Sequence, residues 1–309
     1  MSIDKLVQFL VDGLTLGSVY ALVALGYSMV YGILKLLNFA HGDVYMIGAY
    51  IGFGVLTAFG GAQNPAISIW IVLVLMFLVA MVGCAGLGVA IERFAYRPLR
   101  TAPRIAPLIS ALGVSFFLEY SAQLLFGASH RQYDAFSFGG GALFFKGITW
   151  GPLHISLLRI VIISSAILLM IALTLLVNRT QMGKAMRATS YDREAAAMMG
   201  IDVDRIIVIT FIIGSALAGA AGVMFALRAD ASPLMGFNAG LKGFTAAVIG
   251  GIGSIPGAML GGILLGLFES LTQGYLSGQW SDLFVFAILI VMMIVRPTGL
   301  LGKADIRKV

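Results

Sequence analysis

Three polar side chains stand together after the first long apolar run, in Asn38-Phe39-Ala40-His41-Gly42-Asp43. Polar groups at membrane depth are costly and tend to face a cavity or a bundle interior. If a helix begins near Gly42, its free N–H groups and positive dipole end can face a substrate carboxylate. The competing reading is an interfacial loop in which Asn38 and Asp43 cap a helix. A second set is mostly backbone: AGLKGFTAAVIGGIGSIPGAMLGGILLG carries Gly250, Gly251, Gly253, Gly257, Gly261 and Gly262, interrupted by Ser254 and Pro256. Glycine serves close helix packing as well as a permeation path, and the Ser254 and Pro256 break favours the path. Glu119 and Glu269 lie in apolar runs. Each suits proton or ion carriage, while their nearness to the outer boundary favours snorkelling or hydrogen bonding within the bundle.

The same inventory excludes most chemistry. No G-x-x-x-x-G-K-[ST] occurs, so ATP phosphates have no P-loop here. His41, His130 and His154 stand in different connections without metal-ligand spacing. Cys84, the single cysteine, lies in VAMVGCAGLGVA as a small buried thiol. Neither a Ser/His/Asp nor a Cys/His set converges, so the sequence is not that of an enzyme and implies no metal or cofactor of its own.

These residues must be positioned by helices in lipid. Sixty per cent of the 309 residues are hydrophobic and 11% are charged, with a mean hydropathy of +0.99. This is the composition of an all-α, polytopic integral membrane protein occupying 1–309 as one transmembrane domain. Its N-terminus lacks a basic n-region and a cleavage site, and reads as the start of the first span. Apolar runs at 6–34, 67–91, 105–126, 156–177, 206–228 and 281–300 predict six full spans. The Gly-rich stretches 44–60 and 242–272 predict two broken or re-entrant segments, giving about eight membrane segments.

Orientation follows from charge. The net charge of +6 is concentrated in a few connections, a positive-inside signature rather than a nucleic-acid surface. Arg93, Arg97, Arg100 and Arg104 mark one cytoplasmic connection. Arg179, Lys184, Arg187, Arg193 and Arg205 mark another, and Lys303, Arg307 and Lys308 mark the tail. Both termini are therefore expected in the cytoplasm, with two half-length helices flanking the Gly253–Gly257 break. A short repeat supports pairing of the halves: Gly17-Ser18 and Ala21 align with Gly214-Ser215 and Ala218. After one inserted residue, Phe39, Gly42 and Gly52 align with Phe237, Gly240 and Gly250.

The cytoplasmic loop at 178–205 contains the one long polar interruption with helical character. Ser190 or Asp192 can cap a short helix, and Gly200 sits where a left-handed C-terminal cap belongs. Ala195, Met198 and Met199 share one face and form a small apolar ridge between charged flanks, suited to a groove.

Glu194-Ala195-Ala196 followed by Gly200 is similar to the EAA---G pattern of bacterial ABC-importer membrane subunits. With LNFAHGDVYMIGAY, RPLR at 97–100, FTAAVIGGIGSIPGAMLGG and RPTGLLG at 296–302, the whole chain closely resembles the permease subunits of high-affinity branched-chain amino-acid ABC importers. The resemblance implies a coupling helix at Glu194, Ala195, Ala196, Met198, Met199 and Gly200 that docks on an ATPase. It also implies a homologous second permease, two ATPases carrying ATP and Mg, and a periplasmic binding protein delivering leucine, isoleucine or valine at the bacterial inner membrane. The distal Ile-x-Leu-Pro of longer EAA loops is absent. Within this reading the expected pathway residues are Asn38, His41, Gly42, Asp43, Gly250, Gly251, Gly253, Ser254 and Pro256. Urea or short amides are alternative cargo for this fold, and an ion-coupled secondary transporter using Glu119 or Glu269 is the alternative from another class.

Overall fold

The computed structural model describes residues 3–60, 67–100, 102–103, 105–131, 133, 147–150 and 153–302. The tail lysines and arginine at 303–308, and Arg104, lie outside this set. The helices are α1 (Ile3–Leu34), α2 (His41–Ala58), α3 (Ile69–Ile91), α4 (Ile105–Phe126), α5 (Leu157–Arg179), α6 (Gln181–Tyr191), α7 (Arg193–Met198), α8 (Val203–Ala226), α9 (Met235–Gly250), α10 (Ile255–Tyr275) and α11 (Gly278–Val295). A hairpin of β1 (Gly147–Trp150) and β2 (Leu153–Ser156), with Thr149 opposite His154, is the only sheet among the described residues. Seven helices, α1, α3, α4, α5, α8, α10 and α11, are long and apolar enough to cross a membrane. The molecule is thus an all-α polytopic membrane protein.

The core is built on α1 and α8, the most deeply buried of these spans. Small residues let neighbouring backbones close on them. A Cβ on Gly262 would lie 2.3 Å from the Ala21 Cα, and one on Gly266 would lie 2.2 Å from the Gly17 Cα, so α10 sits directly on α1. The opposite seam is made alike, with Gly88 of α3 against Ser215 and Gly219 of α8 against Cys84. In α2 and α9, Gly42 meets Gly240 across the centre. The two halves therefore form an inverted repeat in which α1, α2 and α3 correspond to α8, α9 and α10. The Gly42 and Gly240 match is as aligned from sequence. In the first span, however, the seams equate Gly17 with Ser215 rather than Gly214, so no inserted residue is needed.

Among the described residues, the two ends of the bundle lie on opposite faces and not on the common face expected. Arg193 reaches the carbonyl of Ile33, and Gly32 lies beside Gly253, so the C-terminal end of α1 shares a face with the 178–205 loop. The other end of α1 is at the far face, where Ser270 donates to the Phe9 carbonyl. Residues 299–302 pack on Gly250 and Gly251 at the loop face. The two ends of the bundle chain thus lie on opposite faces. The reason is that α2 crosses instead of re-entering: it runs parallel to α4, with Asp43 beside Ser115 and Tyr50 stacked on Phe126 at 4.4 Å. Likewise α10, with 21 residues, is a full-length helix rather than a half helix. At 18 and 16 residues, α2 and α9 rise about 27 and 24 Å. Both are short of a ~30 Å hydrocarbon core, and their N-terminal connections dip inward to meet them.

Candidate functional site

The loop-face site begins with three side-chain caps. Thr180 Oγ1 accepts from Gly183 N at 3.0 Å to start α6, Asp192 Oδ1 accepts from Ala195 N at 3.0 Å to start α7, and Asp202 Oδ1 accepts from Arg205 N at 3.0 Å to start α8. Asp192 is the cap, whereas Ser190 lies inside α6 and donates to the Arg187 carbonyl. The helix α7 ends in a left-handed turn: Gly200 has φ +82°, its N–H reaches Ala197 O at 3.0 Å, and Ile201 N reaches Ala196 O at 3.1 Å. That is the two-bond closure expected of a glycine-terminated helix. Gly183 is fixed for another reason, since a Cβ there would sit 2.1 Å from the Val177 carbonyl oxygen.

This geometry presents an apolar knob. Ala196 is buried and Ala195 half-buried, while Glu194 is exposed. Tyr191, Met198 and Met199 are 86%, 82% and 83% exposed. Behind the knob, Arg193 Nε donates to Ile33 O at 3.0 Å and its Nη2 donates to the same oxygen, pinning α7 to the end of α1. Burial, and then the neighbouring Arg100 charge, lower the Arg193 pKa below its ordinary value. A second tie links α3 to α8. The end of α3 widens into a π-turn at Glu92–Tyr96 that turns Glu92 inward beneath Arg100, and Arg97 and Arg100 both pair with Asp204 at the start of α8. Sequence reasoning did not single out Arg193 or this ion-pair set as site residues, although the basic clustering was plain.

The expected pathway residues lie in close-packed seams. Asn38 Oδ1 accepts from the Tyr96 hydroxyl at 3.2 Å. The His41 ring packs edge-on against Tyr27 at 4.8 Å and over Gly26. Gly42 touches Gly236 and Gly240, and Asp43 accepts from Ser115. Ala40, not Asn38 or Asp43, occupies the cap position of α2, and no side chain caps it. The glycine break is a tight turn at the loop face, with Gly251 at φ +107° and Gly253 at φ +89°. Ser254 caps α10 through Gly257 N at 3.2 Å, Pro256 lies in its first turn, and Gly253 N donates to Ser28 Oγ at 2.8 Å. Leu300 and Leu301 donate to Ile249 O and Gly250 O, each at 2.9 Å, closing the turn from outside. His41 thus rests on Gly26 and Tyr27 of α1, and Gly253 on Ser28 and Gly32 of the same helix.

Glu269 is buried and paired with Lys242 Nζ at 2.7 Å, which also pairs with Asp282 at 2.8 Å. Lys242 was the signal overlooked in the sequence: a lysine within AGLKGFTAAV, inside an apolar stretch, needs a partner or water. Glu119 is also buried, one turn beyond Ser115 and close to the Asp43 carboxylate.

An inverted repeat of membrane helices is an architecture that recurs among transporters. A family model described as the branched-chain amino acid transport system / permease component matches residues 9–293, and the chain belongs to that family. It is 42% identical over 303 residues to the high-affinity branched-chain amino acid transport system permease protein LivH of Escherichia coli, covering 98% of this chain and 97% of that one. The corresponding permease BraD of Pseudomonas aeruginosa is equally similar, at 42% with the same coverage. The LivM permease of Escherichia coli is 29% identical over 94% of this chain and 69% of its own length. No solved structure matches the chain significantly.

Proposed function

We propose that this chain is one of two membrane subunits of an ABC importer for branched-chain amino acids in a bacterial inner membrane. Its partners are a homologous second permease, two ATPases and a periplasmic binding protein. The observation that carries the reading is the α6–α7 knob: three large apolar side chains exposed at the tip of a capped segment and bound through Arg193 to α1. Flexible methionines beside an aromatic ring suit a groove on a partner. Motion of α7 in such a groove reaches α1 through Arg193 and α3 through the Asp204–Arg100–Glu92 ties. Because α1 and α8 form the core, the packed seams around them are the elements that rearrange when access alternates. ATP and Mg then belong to the ATPases, consistent with the missing P-loop. The substrate class rests on the names of the relatives.

The test is purification from the native membrane in mild detergent. An ATPase is expected to accompany the unaltered permease and to be lost from Met198→Glu/Met199→Glu and from Gly200→Glu, with the permease still monodisperse. Leucine uptake should fall to background in both variants, while urea neither competes nor is carried. Full leucine uptake without any bound ATPase overturns the importer reading.

A further inference from the structure

The helices α9 and α10 form a hairpin whose two ends are closed by different means. At the loop face their backbones touch: a Cβ on Gly250 would lie 1.9 Å from the Gly257 carbonyl oxygen, and one on Gly261 would lie 2.0 Å from that of Ala246. The connection there is the glycine turn, with Gly251 and Gly253 at positive φ. Toward the far face the glycines turn elsewhere. Gly240 and Gly243 of α9 meet α1 and α2, and Gly266 and Gly274 of α10 meet α1. What ties the hairpin at that end is a side-chain pair, Lys242 Nζ to Glu269 Oε1 at 2.7 Å.

The two partners of Lys242 are unequal. The Glu269 side chain is 3% exposed, Gln273 Nε2 donates to its Oε1 at 3.1 Å, and Tyr20 of α1 faces the carboxylate. Its helix is closed on α1 through Gly262 and Gly266, so Glu269 belongs to a fixed wall. Asp282 of α11, paired with Lys242 at 2.8 Å, is 62% exposed. Lys242 and Tyr20 also line a cavity of about 420 Å³ together with His130, Phe225, Asp230 and Asn238. Glu269 is not among the residues lining it, so the pair stands between this recess and the closed α9–α10 seam.

A buried ion pair adds little net stability over an apolar contact of similar volume, because both charges lose water when it forms. The same balance makes it a contact that parts and reforms as water reaches it. When Glu269 withdraws, Lys242 keeps Asp282 at the rim, and Glu269 keeps Gln273 and Tyr20. Neither charge is left alone. At the opposite end, Gly251 and Gly253 supply the backbone freedom for a pivot.

We propose that the Lys242–Glu269 pair is a latch that holds the α9–α10 hairpin shut on the face away from the α6–α7 loop, and that the hairpin opens about the Gly251–Gly253 turn. The inference deepens the transport reading above and rests on it for the need to open. It assigns the seal on the far face to side chains outside the seams at 38–43 and 250–256.

Leu265, 1% exposed, lies on α10 one turn after Gly261 and one turn before Glu269, between hinge and latch. Cys84 is buried, so Leu265→Cys reports on the seam alone among the described residues. In sealed membrane vesicles without ATP, a charged membrane-impermeant thiol reagent should label this cysteine slowly. Adding Glu269→Gln should raise labelling from the far face about tenfold, a shift well inside what loss of a buried pair produces. Glu269→Asp, which keeps the charge and shortens the reach, should give an intermediate rate and serves if the amide variant is not monodisperse. Asp282→Asn, on the exposed partner, should leave the rate near that of the unaltered latch. Ala258→Cys, buried beside Gly250 at the hinge, should stay unreactive in every case. Equal labelling at 265 with and without the Glu269 substitutions overturns the latch, as does access only from the loop face. Labelling at 258 equal to that at 265 is general loosening and overturns the hinged opening. No ATPase takes part in this assay. Faster labelling in a permease that carries leucine with no ATPase bound leaves the latch standing and overturns the importer reading instead.

Discussion

At the scale of single residues, the glycines separate by what their missing side chains would strike. A Cβ on Gly42 would lie 2.2 Å from the Gly236 carbonyl and 2.7 Å from the Gly240 Cα, both backbone atoms that have no rotamer to yield. Gly86 in α3 has nothing within 4 Å of that position. Gly42→Ala is therefore expected to destabilise the bundle by about 1–3 kcal/mol through overpacking. Gly86→Ala should cause no loss. Thermal melting in detergent checks the pair, and equal behaviour of the two variants contradicts the tight α2–α9 crossing. The identity of these glycines was legible in the sequence, but their division into contact and spacer positions was not, since both kinds occur inside helical apolar runs.

At the scale of elements, the junction of α3 and α8 contains two unlike halves of one ion-pair set. Asp204 is about half exposed, and its pairs with Arg97 and Arg100 are open to solvent on that side. Glu92 is 1% exposed and depends on Arg100 alone for a countercharge among the described ion pairs. Asp204→Asn should cost only about 0–1 kcal/mol, the range for exposed pairs. Arg100→Ala strands a buried carboxylate and should cost about 3–5 kcal/mol. Unfolding in mild denaturant distinguishes the two, and similar costs would remove the distinction drawn between them. The RPLR motif and its charges were evident beforehand. The π-turn that points Glu92 inward was not, because Tyr96 at its end is held by Phe211 of α8 and by Asn38, neighbours that only the tertiary fold brings there.

At the scale of the whole molecule, the decisive feature is that the chain makes an odd number of passes through the bundle, counting α2 and α9. Lys5, near the start of α1, and Lys35, just after its end, are both exposed and lie at opposite faces. With Cys84 buried, Lys5→Cys should react with an impermeant thiol reagent from one side of sealed vesicles and Lys35→Cys only from the other. Labelling of both from one side contradicts the crossing of α1 and returns the termini to a common face.

The sequence by itself determined the membrane class, the capped loop at 178–205 with its Gly200 terminus, and the sites at which the helices break. Each of these depends on local quantities: hydropathy over a span, a capping side chain three residues from its N–H, a glycine required at positive φ. Tertiary structure alone decided the number of crossings, because α2 and α9 are close to the minimum length for a span and cross by virtue of Gly42 meeting Gly240. It also decided which polar residues are enclosed. The polar residues at 38–43 fill a packed seam and Lys242 is enclosed by Glu269 and Asp282, because accessibility depends on which neighbours arrive and no local pattern records them.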